Sequence, residues 1–206
     1  MGCDIHMYVE RKTDNGWFNC DYFVPNVNYK VGMCESEKWS RVPIYDDRSY
    51  SLFATLANVR NYGNTPYISE PKGVPDDTCD YIKNECDKFY FDDHSHSYLT
   101  LQELIDFHEE GHPLKHRGML SPEQLREFDE GILPDHRCQG CNMSGYEFRE
   151  WEEENNILIP LIDKLKDRMD ELTMVYRFCW DSKNETSRKE AYEKSANIRI
   201  VFWFDN

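Results

Sequence analysis

Three short motifs in this chain carry residue types that could do chemistry. The first is Asp4-Ile5-His6, near the start. A carboxylate and an imidazole two residues apart on a strand point the same way, and together they suit Zn, Mn, Fe or Ni. The plainer alternative is a polar strand face with His6 bonded to a neighbour. The second is Asp92-Asp93-His94-Ser95-His96-Ser97. In an extended segment His94 and His96 share one face, and Asp92 or Asp93 can ligate an ion or fix an imidazole tautomer; the alternative is a solvated loop. The third is Cys138-Gln139-Gly140-Cys141, preceded by His112 and His116 at H-x₃-H spacing. Those four residues have the composition of a closed structural zinc site. A dithiol redox pair or two free thiols are the other readings. Arg60, just past an expected helix end, can hold a phosphate or carboxylate, or simply complement the helix dipole.

These residues need elements to position them. Ile5, Met7 and Val9 alternate with Asp4, His6, Tyr8 and Glu10, so residues 4–10 read as a strand. Asn15-Gly16 is a hairpin signal, and it predicts a return strand from about Trp17 to Val24. Residues 25–48 show no clean period and read as a long connection. Ser49 or Ser51 caps a helix running to about Val59, and Asp76 and Asp77 cap a second to about Phe89. Thr100-Leu101-Gln102-Glu103 is a capping box directly after the His94/His96 segment, which places that segment at a strand-to-helix turn. Ser121-Pro122-Glu123 opens another helix. The longest helix is expected from about Asn156 to Phe178, with Pro160 in its first turn. The run Ile198-Arg199-Ile200-Val201-Phe202-Trp203-Phe204 suits a strand buried on both faces and a central neighbour for the first strand. Glu150 to Glu154, around Trp151, reads as a solvated face. The expected fold is a single α+β domain over residues 1–206, with a small sheet pairing the N-terminal hairpin with the C-terminal strand under several helices.

Composition limits the function classes. The 206 residues include 14% aromatics, enough to build a core. With 39 acidic against 24 basic residues the net charge is −15, which disfavours bulk nucleic acid as a partner. No run of roughly 20 apolar residues is present, so no membrane span is expected. The start has no basic region before an apolar run, which together with eight cysteines reads as a cytoplasmic chain with reduced thiols or metal ligands. There is no P-loop, G-x-G-x-x-G or G-x-S-x-G motif, which argues against NTPases, dinucleotide enzymes and α/β-hydrolases.

Several blocks resemble a group of bacteriophage and prophage proteins. They are the opening Met1-Gly2-Cys3-Asp4-Ile5-His6 with Tyr8-Val9-Glu10, the segment from Ser51 to Asn61, Ser69-Glu70-Pro71-Lys72-Gly73-Val74-Pro75, the segment from His94 to Leu101, and the ending from Arg199 to Asn206. The resemblance implies a phage origin and a role inside an infected bacterium, and it carries no reaction. The Cys138–Cys141 segment lies outside those blocks.

From the residues, the leading expectation is a metal-dependent hydrolase acting on a small phosphate-containing, nucleotide-type substrate. A divalent ion held by Asp4, His6, His94 and His96 polarises the phosphoryl group and supplies hydroxide. Asp93 orients a ligand or acts as general base, and Arg60 holds substrate charge. The alternatives are an acidic phage protein that binds and inhibits a host defence component, and a protein that sequesters a nucleotide signal. Metal identity and oligomeric state stay open.

Overall fold

The most apolar run of the chain becomes the strand at its centre. In the computed structural model, which describes residues 2–88, 93–134, 143–173 and 179–205, every residue of Ile198–Phe204 is buried. That strand, β8 (Ile198–Asp205), pairs antiparallel with β1 (Asp4–Thr13) on one side, Asp4 opposite Asp205 and Glu10 opposite Arg199. β2 (Gly16–Asn19) folds back on β1 after the Asn15-Gly16 turn, with Gly16 at φ 110°. On its other side β8 pairs with β5 (Asp93–Thr100), giving an antiparallel sheet of order β2-β1-β8-β5. The expected pairing of N-terminal hairpin and C-terminal strand is present, in a single α+β domain.

Period-two alternation gives the sheet two unlike faces. Ile5, Met7, Val9, Leu99, Ile200, Phe202 and Phe204 belong to the main core. It is covered by α1 (Tyr50–Ala57), α3 (Leu101–Glu109), α5 (Ile159–Thr173) and α6 (Glu185–Ser195). Each fully buried Phe or Leu there contributes about 1.5–3 kcal/mol. On the opposite face Tyr8, Val201 and Trp203 pack with Ile82 of α2 (Asp80–Asp87). That face also buries charge. Glu10 accepts from Arg199 Nε at 2.7 Å and from the Cys79 amide at 2.8 Å, and Arg199 also reaches Asp77 and Thr78.

Local signals placed three helix starts. Ser49, Thr100 and Ser121 are the N-caps of α1, α3 and α4 (Pro122–Asp129), each side chain accepting an amide of the first turn. Elsewhere the sequence reading needs correction. The expected strand from Trp17 to Val24 breaks at Cys20-Asp21. β3 (Tyr22–Pro25) leaves the sheet and pairs with β4 (Trp39–Val42), inside the stretch read as a connection. The buried Asp21 carboxylate takes Arg41 Nε at 2.6 Å, and only β4 brings that cation. α2 begins at Asp80 after Cys79, because Asp77 is committed to Arg199 and to the Trp17 indole. The Glu150–Glu154 segment is not a solvated face throughout. β7 (Glu147–Glu153) pairs with β6 (Leu114–Leu120), and Trp151 is buried with Leu120 and Leu125. The longest helix is described to Thr173, and 174–178 lie outside the described residues.

Candidate metal centre

One end of the sheet concentrates the candidate residues. Asp4, Asp205 and Asp93 stand in register across β1, β8 and β5. Two positions further along β1, His6 lies opposite Trp203 and stacks against it, centroids 5.7 Å apart. Its Nε2 donates to Asp205 Oδ2 at 3.1 Å, while Asp205 Oδ1 accepts from the Asp4 amide. Burial opposes ionisation of Asp205, but the His6 hydrogen bond and charge and the Asp4 amide outweigh it, holding the carboxyl below its ordinary value.

A β-bulge decides where the two histidines of β5 go. His94 pairs with Phe204 and Ser97 with Phe202, so Ser95 and His96 together oppose Trp203. Ser95 has φ 55°, the left-handed region that side chains rarely adopt. The expectation that His94 and His96 share a face is therefore overturned: the extra residue reverses the alternation. His94 stacks on Phe204, on the main-core side, and bonds Ser95 Oγ at 2.9 Å; its Nε2 is buried with no hydrogen-bond partner among the described residues. His96 stacks on Trp203, on the α2 side, with centroids 5.8 Å apart.

There His96 meets two further ligand types. Its Nε2 donates to Asp93 Oδ2 at 2.9 Å, and Cys86, in the last turn of α2, completes a group. One ligand atom from each of the three lies within 4.8 Å of the others, and all three residues are partly exposed. Ligand bonds of about 2.0–2.3 Å put the donors of one ion about 3–4 Å apart, so thiol, carboxylate and imidazole need only small shifts to close on one ion. Burial, then the charges of Asp93 and Asp87, push the Cys86 thiol up to about 11. The site is thus a protonated thiol beside a carboxylate–imidazole pair, and a cation would reverse the preference of that thiol.

The expected four-residue set is not brought together. Asp4 pairs with Arg48 Nε at 3.0 Å, His6 with Asp205, and His94 faces the other side of the sheet. His96 joins the ligand group, and Asp93, expected as orienter or base, joins it as a ligand candidate. Cys86 carries no sequence signal, since it shares no motif spacing with Asp93 or His96. Arg60 lies on the other side from this group, in a cavity wall with Tyr50, Ser51 and Ala54 of α1, the helix that covers the main core, and it donates to Tyr62 Oη at 3.1 Å. His112 donates to Glu110 Oε2 at 2.7 Å, and His116 meets Glu153 at 3.4 Å while stacking on Trp151. Their expected zinc partners Cys138 and Cys141 lie outside the described residues.

Among the described residues no helix is long and apolar enough to cross a membrane. No protein-family model, curated protein or solved structure matches the chain.

Proposed function

We propose that this chain is a metal-dependent hydrolase whose Cys86, Asp93 and His96 hold one divalent ion, acting on a small phosphate-containing substrate during phage infection. The observation that carries the reading is the convergence of three different metal-ligand types at partial exposure. Three protein ligands leave a coordination position for water or substrate, the arrangement catalytic zinc sites use. Bound there, an ion supplies a Lewis acid and a water of lowered pKa. The Asp93 and Asp205 carboxylates, opposite each other on β5 and β8, disfavour an anion there unless a cation is present, which ties phosphate binding to metal loading. The net charge of −15 favours a small phosphate ester over a polyanion.

The test is metal content by elemental mass spectrometry, with hydrolysis of a chromogenic phosphate ester measured alongside. Wild type should carry about one ion per chain, and His96→Ala and Cys86→Ser should lose both metal and turnover while keeping their circular dichroism. A metal-free wild type that also fails to bind added zinc or manganese would sink the reading.

A second reading, a non-enzymatic protein that binds and inhibits a host defence component, is favoured by a different observation. Phe23, Val24, Val27, Val31, Trp39 and Val42 are exposed on and around the β3–β4 ribbon. On that reading a Val27→Asp, Trp39→Asp variant loses a host-protein complex that wild type retains on gel filtration.

A further inference from the structure

We propose that the cavity beside Arg60 is a binding site for a small organic phosphate, separate from the metal centre and on the other side of the sheet. The cavity measures about 320 Å³, within the range of small-ligand sites. Arg60 and Lys115 line it together with the hydroxyl-bearing Tyr50, Ser51, Tyr62 and Thr65. None of the described residues lining it is acidic, in a chain with 39 acidic residues. Lys115 meets Glu152 at 3.2 Å, an exposed pair that an anion can compete for at small cost.

Two of these hydroxyls, the phenols, are set to donate. Tyr50 Oη already accepts from the Cys3 amide at 3.2 Å and from Arg48 Nη2 at 3.3 Å. Tyr62 Oη accepts from Arg60 Nη1 at 3.1 Å. Each phenol therefore keeps its own proton to give, and a phosphoryl oxygen is an acceptor that takes several donors.

The backbone that carries Arg60 is held in a costly shape. Asn58, Arg60 and Asn64 have φ of 59°, 54° and 57°, three left-handed non-glycine residues within seven positions. Asn61 holds that shape: its Nδ2 donates to Asn58 Oδ1 and the Thr65 carbonyl, and its Oδ1 accepts from the Thr65 amide. Thr65 Oγ1 and the Lys115 backbone tie the loop to β6. Asn can take the left-handed region with little loss, but an arginine there carries a backbone cost that glycine would not. The position thus carries that cost with a guanidinium on the cavity wall. An adjoining cavity of about 480 Å³ shares Asn61, Gly63 and Lys115; it is also lined by Glu150 and Glu152, so it suits the uncharged organic part of the ligand rather than the phosphate.

The test is calorimetric titration of wild-type protein in EDTA with inorganic phosphate and with ribose 5-phosphate, so that the outcome does not depend on metal. Saturable binding of ribose 5-phosphate, tighter than inorganic phosphate, is expected. Arg60→Gly should weaken it about tenfold or more while changing the melting temperature little, because relief of the left-handed backbone offsets the lost contact with Tyr62. Lys115→Met should weaken it severalfold with little change in melting. Absence of saturable binding in wild type overturns the proposal, and so does binding undiminished in Arg60→Gly. Neither result bears on the metal centre, whose failure would appear instead as a chain that binds phosphate in EDTA and takes up no ion.

Discussion

Asp93 and Asp205 stand opposite each other across the β5–β8 ladder, and each holds one histidine: His96 on Asp93 at 2.9 Å, His6 on Asp205 at 3.1 Å. The two imidazoles come from the strands on either side of β8, and both stack against Trp203. The two pairs still differ. Among the described residues, the Asp93 pair has a thiol beside it and forms a three-donor group, and the Asp205 pair does not.

The bulge at Ser95 should control metal binding. Its φ of 55° suits glycine and opposes β-branched residues. Ser95→Gly should keep the metal and match or exceed wild-type stability. Ser95→Val should cost about 1–2 kcal/mol and release the metal by turning His96 away from Asp93 and Cys86. Urea denaturation and metal analysis of the two variants check both halves.

The buried pair of Glu10 and Arg199 should be asymmetric under substitution. Arg199 is held by Glu10, Asp77 and Thr78, and its guanidinium lies 3.8 Å from the Trp17 ring centre. Arg199→Met leaves a fully buried carboxylate uncompensated and should cost about 3–5 kcal/mol. The double variant with Glu10→Leu should recover a good part of that loss. A double-mutant cycle by chemical denaturation measures it.

The capping box of α3 should make stability depend on pH. Glu103 accepts from the Thr100 amide at 2.7 Å and from Lys72 at 3.1 Å. Burial opposes its ionisation, but the Thr100 amide, Lys72 and the Thr100 hydroxyl together hold its pKa below the ordinary 4.5. A carboxyl depressed on folding stabilises above its unfolded value and loses that contribution as pH falls through the folded one. Glu103→Ala should therefore cost about 1 kcal/mol at pH 7, and the gap from wild type should narrow below pH 4.5. Melting temperatures of both proteins between pH 3 and pH 7 give the sign, in the range where carboxyls titrate.

Gly63 should be intolerant of any side chain. A β-carbon there would stand 1.8 Å from the Lys115 carbonyl oxygen, backbone that cannot give way locally. Gly63→Ala should lift the 58–65 loop off β6 at a cost of about 2–3 kcal/mol, which lowers the melting temperature by about 5–10 °C for a chain of this length. A change under a degree would show that the loop is not docked as described.

What the sequence determined by itself was local or periodic. The caps at Ser49, Thr100 and Ser121 involve partners within three residues, so the short-range pattern suffices to find them. The two terminal strands were legible from alternation and from a run too apolar to face water. The Asp/His character of the sheet end was visible too, because β1 and β5 each carry their candidates within a few residues. What only the tertiary structure decided was which of those groups meet. A one-residue bulge opposite Trp203 sends His94 and His96 to different sides, and no local rule foretells a bulge. Packing of α2 on the second face brings Cys86 to Asp93, and the β8 ladder brings Asp205 to His6 across most of the chain. Arg60 and the metal group fell on opposite sides because α1, beside Arg60, packs on one face of the sheet and α2, which carries Cys86, on the other. A ligand set depends on distances across the sheet, and those follow from register and packing rather than from the spacing of residues along the chain.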